Sequence, residues 1–482
     1  MSATSTLEPE AVGVLRTRVH GDVLVPADAS YDEARSVWNG MIDRRPAAVV
    51  RCTGVADVRA TLAFAQEQGI GVSVRGGGHN VAGTAVADGA VVVDLGPMRS
   101  VTVDLDAQTA RAAGGARLGD VDHETQAFGL AAPFGVVSRT GVAGLTLHGG
   151  MGFLTRRFGL SCDNLVAADL VTADGTLLHA TPERHPDLLW ALRGGGGNFG
   201  VVTSLEYRLH PVGPEVFMVV TLYPPEVAAD GLAAFGAFMA DAPEELSALA
   251  IYWSAPHEEP VPPEWHGRPV FVVAACWSGS LDRAEDAVRP LRELAEPVVD
   301  MSGPMPYVMA QQLFDPEYPD GRRYYWKSAY LPRLDGAAEL LERYARERPS
   351  PLSSLDVWAL GGAMRREPAG GSAFAKRDQP FLLGIEANWD DAADDATNLD
   401  WARSLFSAAS ADVGAATYLN FPGFVEEGEE LLRASYGDAY ERLQRVKATY
   451  DPDNVFRSNL NNPGQTMIGT VPPSADQAAP VT

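Results

Sequence analysis

Val74-Arg75-Gly76-Gly77-Gly78-His79-Asn80 is a glycine-rich loop that ends in a histidine and follows directly on an apolar, strand-like run. Three successive glycines let main-chain N–H groups turn inward with no Cβ in the way, the geometry that cradles a pyrophosphate. The histidine at its end adds a nucleophilic imidazole, which a pure phosphate loop does not need. The loop therefore points to a cofactor that is gripped and also bonded.

Outward from the loop, residues 47–51 and 71–74 read as short buried strands around a helical stretch at 55–68, whose apolar residues recur at helical spacing. Residues 90–95 and 101–104 continue as strands. A hairpin is expected from 165–171 and 176–179, with Ala173-Asp174-Gly175 as its turn. A strand at 201–209 closes this segment, and Pro211-Val212-Gly213-Pro214 marks a boundary. From about residue 215 the pattern changes to longer alternating strands, at 216–222, 248–253, 269–276, 323–330, 355–360 and 381–388, with amphipathic helices between several of them. That predicts an α+β layer, one sheet with helices on one face. A helix is expected at 438–447. Beyond Pro463 the composition turns to Pro, Ala, Ser and Gln, as in disordered tails.

Composition narrows the function. The chain has 482 residues, 46% hydrophobic and 21% charged, which suits a soluble globular protein of two to three domains. Its 38 Lys and Arg against 63 Asp and Glu give a net charge of −25 and argue against a nucleic-acid partner. Cys52, Cys162 and Cys276 are three widely spread cysteines, which make no disulfide framework and fit a reducing compartment. The first residues have neither a basic nor an apolar leader pattern, and no run is long enough to span a membrane. The expectation is a cytoplasmic protein with no membrane or metal partner and an oligomeric state left open.

Two further glycine clusters bear on the cofactor. Gly195-Gly196-Gly197-Asn198-Phe199-Gly200 satisfies GxGxxG as a string, which alone would suggest a nicotinamide dinucleotide fold. That fingerprint follows a strand and opens a helix, whereas here a helical 186–193 precedes and a strand follows. The better reading is a backbone turn passing close to a ligand or the sheet. The other cluster, Ser138 to Phe153, brings hydroxyls and small residues suited to phosphate and to packing under a flat ring. Three such loops without a Walker lysine point together to a large phosphate-containing cofactor.

The order of motifs, RGGGHN, GVVSRTGVAGLTLHGGMGFLTRRFGLSCDNL, LLWALRGGGGNFGVVTSLEYRL, ATYLNFPG and YDPDNVFRSNLNNP, resembles the berberine-bridge-enzyme-like flavin oxidoreductases, in the branch of the bacterial 6-hydroxynicotine oxidases. The resemblance runs from about residue 40 to residue 463. It implies a two-domain α+β fold: a PCMH-type FAD-binding domain over 40–212, a substrate domain over 213–415 with an antiparallel sheet covered by helices, and a C-terminal segment, 416–463, packing back on the FAD domain. Residues 464–482 would be the tail.

Carried over by residue, the resemblance implies a single covalent link from His79 to the 8α-methyl of FAD. A second link found in some members uses a cysteine whose position falls on Val137 here, so it is absent. The implied cofactor contacts are Arg75, Gly76, Gly77, Gly78, His79 and Asn80 in the first loop. Val137, Ser138, Thr140, Gly141, Gly144, Gly149 and Gly150 follow in the second loop, and Asn198, Gly200 and Val202 in the third. Asn459 and Asn461 either reach back to the flavin or substrate, or cap locally. Cys162 has no nearby base in sequence and reads as a small buried hydrophobe. His148 stands where relatives carry glycine, and is either a polar neighbour of the flavin or a turn residue.

Catalysis in this family means hydride transfer from a C–H to flavin N5 while a base takes a proton from the adjoining O–H or N–H. Tyr418 matches the family's active-site tyrosine, a base if nearby positive charge or the field of the flavin lowers its phenol. Lys327 is the candidate for that charge, with Tyr325 on the same strand face. Bridge-forming members have a glutamate after a GG-x-M motif. This chain has Arg365 and Arg366 there, which argues against bridge chemistry and for an anionic or oxygen-rich substrate. Thr140 occupies a position where oxygen access is gated, and oxidase and dehydrogenase both stay open. The implied reaction is oxidation of an alcohol or amine carbon of a small molecule (sugar, alkaloid or secondary metabolite), with O2 as acceptor and H2O2 formed. The alternatives are a flavin dehydrogenase with another acceptor, a catalytically silent flavin-binding protein, and a nicotinamide dehydrogenase.

Overall fold

The structure is a computed structural model and describes residues 7–411, 414–458 and 460. Asn459, Asn461 and the expected tail lie outside the described residues. Three sheets carry the architecture. The first is built from β1 (Val23–Leu24), β2 (Ala48–Arg51), β3 (Val72–Arg75) and β4 (Val91–Asp94) in the order β1-β2-β4-β3. β2 and β3 both run parallel to the central β4, with Val50 and Val74 opposite Val93. Parallel strands covered on both faces need continuous apolar runs, and Ala48-Val49-Val50 and Val91-Val92-Val93 supply them. The Val55–Gln68 helix makes the crossover and buries Val58, Leu62, Phe64 and Ala65. This topology ends β3 at the first residues of the glycine loop.

The second sheet is antiparallel, from β5 (Val101–Asp104), β6 (Thr109–Ala113), β7 (Leu165–Val171), β8 (Leu177–Ala180) and β9 (Val201–Arg208), ordered β5-β6-β9-β7-β8. The 176–179 strand of the hairpin lies one residue later than its composition indicates, because the Thr172 hydroxyl donates to Asp174 Oδ1 at 2.5 Å and to the Thr176 carbonyl at 3.0 Å and keeps Thr176 in the turn.

The third sheet is the largest. Its long strands are β10 (Glu215–Tyr223), β11 (Leu246–Ser254), β12 (Pro269–Trp277), β13 (Arg323–Leu331), β14 (Ser354–Ala359) and β15 (Phe381–Trp389). They lie antiparallel in the order β10-β12-β11-β14-β15-β13, with the short Val299–Asp300 and Gly303–Pro306 strands on β10. Side chains alternate between faces. Val219, Ala250, Tyr325, Val357 and Ile385 pack on one face with the helices Ala228–Asp241, Ala284–Arg292, Ala337–Arg346 and Asp395–Ser410. Met218, Leu249, Ile251 and Trp358 face the other way, toward Met151, Phe153 and Tyr418. Helices cover one face, as expected. The loops of the first two sheets cover the second face, and the site lies there.

The chain then returns to the first half. Helices Glu429–Tyr436 and Tyr440–Tyr450 put Leu432, Tyr436 and Leu443 into one core with Leu188 and Trp190. The last helix starts two residues later than the expected 438, after a 3-10 turn at Gly437–Ala439. The buried Lys447 ammonium pairs with Asp451 at 2.6 Å and donates to the carbonyls of Asn198 and Phe456 at 2.8 and 3.0 Å. Breaking such a buried pair costs about 3–5 kcal/mol, so this knot fixes the end of the chain against the third glycine loop. Among the described residues no helix is long and apolar enough to cross a membrane.

Candidate active site

An open cavity of ≈ 1480 Å³ separates the glycine loops from the large sheet. That volume includes the open solvent at its mouth, and its walls run from the glycine loops to the aromatic strands of the large sheet. A second cavity of ≈ 720 Å³ continues from it past Gly76, Gly144, Gly200 and Val202. Gly76, Gly77, Gly78, His79 and Asn80 form one wall of the larger cavity, and Val137, Thr140, Gly141, Gly144 and Tyr418 line it too.

Two glycines let the loops meet. A Cβ on Gly77 would lie 2.5 Å from Gly141 Cα and N, and one on Gly141 would lie 2.4 Å from Gly77 N. Neither backbone can yield without opening the cradle. Gly144 is different. It sits inside the Val142–Leu147 helix, where glycine costs about 1 kcal/mol relative to alanine, yet a Cβ there would meet nothing within 4 Å. Among the described residues no atom requires glycine at this place. The space it leaves belongs to both cavities.

His79 ends the first loop with its imidazole partly buried at the cavity wall. Burial drives its pKa down to about 3, and Arg139 and Arg117 act in the same direction, so the ring is neutral. Its Nε2 is buried and has no hydrogen-bond partner among the described residues. His148 lines both cavities at their junction. Its Nδ1 lies 3.2 Å from Gly144 O, its Nε2 is buried and unpaired, and burial lowers its pKa.

Several residues expected at the cofactor also have protein partners. Arg75 makes a two-pronged pair with Asp94, at 3.0 and 2.6 Å, and also donates to the Ala34 and Ser36 carbonyls, so it shapes the loop from behind. Ser138 gives its N–H and hydroxyl to Asp315 of the large-sheet half, clasping the two halves together. Gly149 packs against Phe374 and Tyr418, and the Gly150 N–H donates to Tyr418 Oη at 3.0 Å. Asn198 Nδ2 donates to the Leu460 carbonyl at 3.2 Å, leaving its Oδ1 buried and unpaired. Cys162 is fully buried, and burial raises its thiol well above the usual range.

The catalytic assignment needs three corrections. Alternation does put Tyr325 and Lys327 on one face of β13, but that face meets the helices and not the cavity. Lys327 pairs with Glu427, lies 3.7 Å from Glu426 and sits 4.2 Å over the Phe406 ring, while Tyr325 donates to Glu426 at 2.5 Å. Their neighbour Trp326 lines the cavity instead. Tyr418 is in the cavity, but without a cation to lower it. Burial pushes its phenol up to about 12, against the hydrogen bonds from Asn420 and Gly150. Its phenol is therefore held protonated at neutral pH by its protein surroundings. Arg366, finally, is 62% exposed and pairs with Glu244 at 2.6 Å, away from the cavity. It gives no support to an anionic substrate.

Sequence reasoning missed the facing wall. Asp356 on β14 and Glu386 on β15 both line the cavity, among Trp253, Trp326 and Trp358. Burial raises both carboxyls, and the like charge of Asp356 raises Glu386 further. Tyr318 Oη donates to Glu386 Oε2 at 2.7 Å, and Asp356 Oδ1 is buried and unpaired. Arg348, the one cation that acts on Asp356, is held by the carbonyls of Ala345, Tyr252, Ser353 and Trp253. Glu317 adds a third carboxyl, and no lysine or arginine lines the cavity among the described residues. A signal was present in the sequence, since Ser-Leu-Asp-Val-Trp-Ala and Phe-Leu-Leu-Gly-Ile-Glu-Ala-Asn-Trp each hold one acid in an apolar strand.

A glycine cradle with an unpaired imidazole, facing an aromatic sheet that carries carboxyls, defines a cofactor-dependent redox enzyme of two halves. Known proteins agree with that class. The FAD binding domain family matches residues 46–181, and the berberine and berberine-like family matches residues 417–462. The chain is 32% identical over 457 residues to (R)-6-hydroxynicotine oxidase of Paenarthrobacter nicotinovorans, covering 92% of this chain and 96% of that one. Its structure is similar to that of 6-hydroxy-D-nicotine oxidase from Arthrobacter nicotinovorans, with a TM-score of 0.82, 29% identity, and 93% and 98% of the two chains covered. Glucooligosaccharide oxidase from Acremonium strictum, described with a 6-S-cysteinyl, 8α-N1-histidyl FAD, shares the fold at a TM-score of 0.83 and 21% identity, over 95% and 100% of the chains. The chain belongs to the berberine-bridge-enzyme-like FAD-linked oxidoreductases, and it is an FAD-binding enzyme.

Proposed function

We propose that this enzyme is an FAD-dependent oxidase of small cationic amines, with FAD bonded to His79 alone. The observation that carries the substrate class is the acid-lined, aromatic cavity, with Asp356, Glu386 and Glu317 and no lining lysine or arginine. A protonated amine would replace the proton that the buried pair otherwise holds, and the faces of Trp253, Trp326 and Trp358 suit a cation. The nicotine substrate named for the 32% identical relative is also an amine.

The residues present fit FAD. Gly77 and Gly141 close the cradle, Gly144 leaves a methyl-sized space open to both cavities, and His79 Nε2 has no partner among the described residues. When bound, FAD supplies a two-electron acceptor for a carbon-bound hydrogen and passes the electrons to dioxygen. Glu386 takes the proton from the substrate nitrogen, and Asp356 beside it holds the cation. Tyr418 orients the substrate through its free O–H, its oxygen being fixed by Gly150 and Asn420. Boundaries near residues 213 and 416 would divide FAD half, substrate half and returning segment, and the reading places Val137, Thr140 and His148 beside the ring system.

Two measurements check this reading. Mixed without oxygen, secondary or tertiary amines should bleach the flavin, and admitting oxygen should yield hydrogen peroxide. Bleaching by sugars or alcohols but by no amine would overturn the substrate class, and bleaching by dithionite alone would indicate a silent flavin protein. Gly144→Ala should stabilise the FAD-free protein by up to about 1 kcal/mol while lowering bound FAD, read by melting temperature and visible absorbance. A variant with unchanged FAD content would show that Gly144 does not face the cofactor.

A further inference from the structure

Trp38 stands far from every motif that marks the site, yet its indole lies flat on His79. The ring centroids are 4.2 Å apart and the planes 15° from parallel. On its other face Trp38 stacks on Tyr324 of β13, at 3.7 Å and 14°. Trp38 is 3% exposed and its position is fixed from both halves of the molecule. Its N–H donates to Gly78 O at 3.2 Å, its indole N–H donates to Tyr318 O at 3.0 Å, and its carbonyl accepts from Gly321 N–H at 2.9 Å. Next to it, Asn39 Nδ2 donates to the Val81 and Tyr324 carbonyls at 2.7 and 2.8 Å, and Asn39 Oδ1 accepts from the Tyr324 N–H at 3.1 Å. Trp38-Asn39 is thus a staple between the RGGGHN loop and the edge strand of the large sheet.

The staple matters because the imidazole has little else to orient it. The terminal torsion of a histidine is broad and roughly two-fold, and among the described residues Nε2 finds no hydrogen-bond partner. Its polar contact is with its own main chain. The plane of the ring is therefore set by the stack, an arrangement that aromatic rings favour.

We propose that Trp38 is a positioning residue that orients His79 for its bond to FAD, and that Tyr324, behind it, makes the bond conditional on docking of the two halves. The inference rests on the covalent reading above. In that bond the imidazole N–H and one C–H of the 8α-methyl are exchanged for an N–C bond. The two hydrogens leave as two protons and two electrons that reduce the ring system, and dioxygen removes them as hydrogen peroxide. Trp38 takes no part in the exchange; it holds the nucleophile in line.

The test compares wild type, Trp38→Leu and Trp38→Phe, each expressed and purified with FAD. Total FAD is read from the visible spectrum, and covalent FAD is read as colour kept by acid-precipitated protein. Misplacing a reacting group by about 1 Å can cost ~10²-fold in rate. The Leu variant should therefore hold FAD that acid releases, while the Phe variant, which keeps a flat face, should retain colour in its pellet. A Leu variant with as much acid-stable flavin as wild type would overturn the proposal. A wild type with none would instead sink the covalent reading. Should the Leu variant fail to fold, the Phe variant decides. In a time course after synthesis it should gain acid-stable flavin more slowly than wild type, and equal rates would overturn the role of Trp38.

Discussion

His79→Ala is expected to yield a protein whose FAD is wholly released by acid, whereas the wild-type pellet stays yellow. The histidine is prepared as a nucleophile. Burial keeps its imidazole neutral with a pKa down to about 3, the two nearby arginines oppose protonation, and Nε2 is unpaired. His148 also lines the cavity with a buried, unpaired Nε2 and a lowered pKa, but it follows the short Val142–Leu147 helix and does not end the RGGGHN loop. Val137 stands where a second link would be, and the Cys162 thiol is buried and raised, so it is not a thiolate at neutral pH. The glycine cradle is untouched by the substitution, so the variant should still bind FAD. Loss of the stack on Trp38 should lower stability by about 0.5–1.5 kcal/mol. Turnover should fall by about tenfold or more, equal to at least ~1.4 kcal/mol in the barrier, because the ring is no longer fixed against the sheet. Colour retained in the variant pellet would mean that the bond is made elsewhere.

Much of this molecule is legible in its sequence, for reasons that differ by level. The 55–68 helix and the strands at 101–104 and 165–171 fall where periodicity puts them, because each buries a local apolar pattern. The loops that form the cradle are legible because glycine runs have few other uses. The facing wall is harder. Alternation correctly pairs Tyr325 with Lys327 on β13, but which face of a sheet meets the site depends on the helices that cover the other one, and those are set by packing across the chain. Asp356 and Glu386 come together because β14 and β15 are neighbours, a pairing that no local window contains. Trp38 is the extreme case, since its partners Tyr318 and Tyr324 lie some 280 residues away. The same distance hides the reason why Arg366 is irrelevant to the substrate: Glu244, its partner, comes from before β11.

Glu386→Gln is the second large effect, and it separates catalysis from stability by sign. Glutamine keeps the volume and still accepts the Tyr318 hydrogen bond, but it neither takes a proton nor carries charge. Removing a positioned general base costs about 10²–10⁴-fold in rate, so kcat/KM for an amine should fall by that factor with FAD content unchanged. Stability should move the other way. Burial and Asp356 raise the Glu386 carboxyl well above its ordinary value of 4.5. Above that ordinary value the native state binds more protons than the unfolded chain, so the group lowers stability progressively as pH rises toward its native pKa. The penalty is absent below the unfolded pKa. The variant should therefore melt higher than wild type at about pH 8 and equal to it at about pH 4. The pH profile of kcat/KM carries the same signature. Protonation of the pair removes the anion that holds the amine, so the wild-type acidic limb should lie well above the ordinary carboxylate range. In the variant, where Asp356 no longer has a like charge beside it, that limb should move to lower pH. A variant that loses activity and stability together at both pH values would make Glu386 a structural residue and return the search for the base to the remaining carboxyls of the cavity.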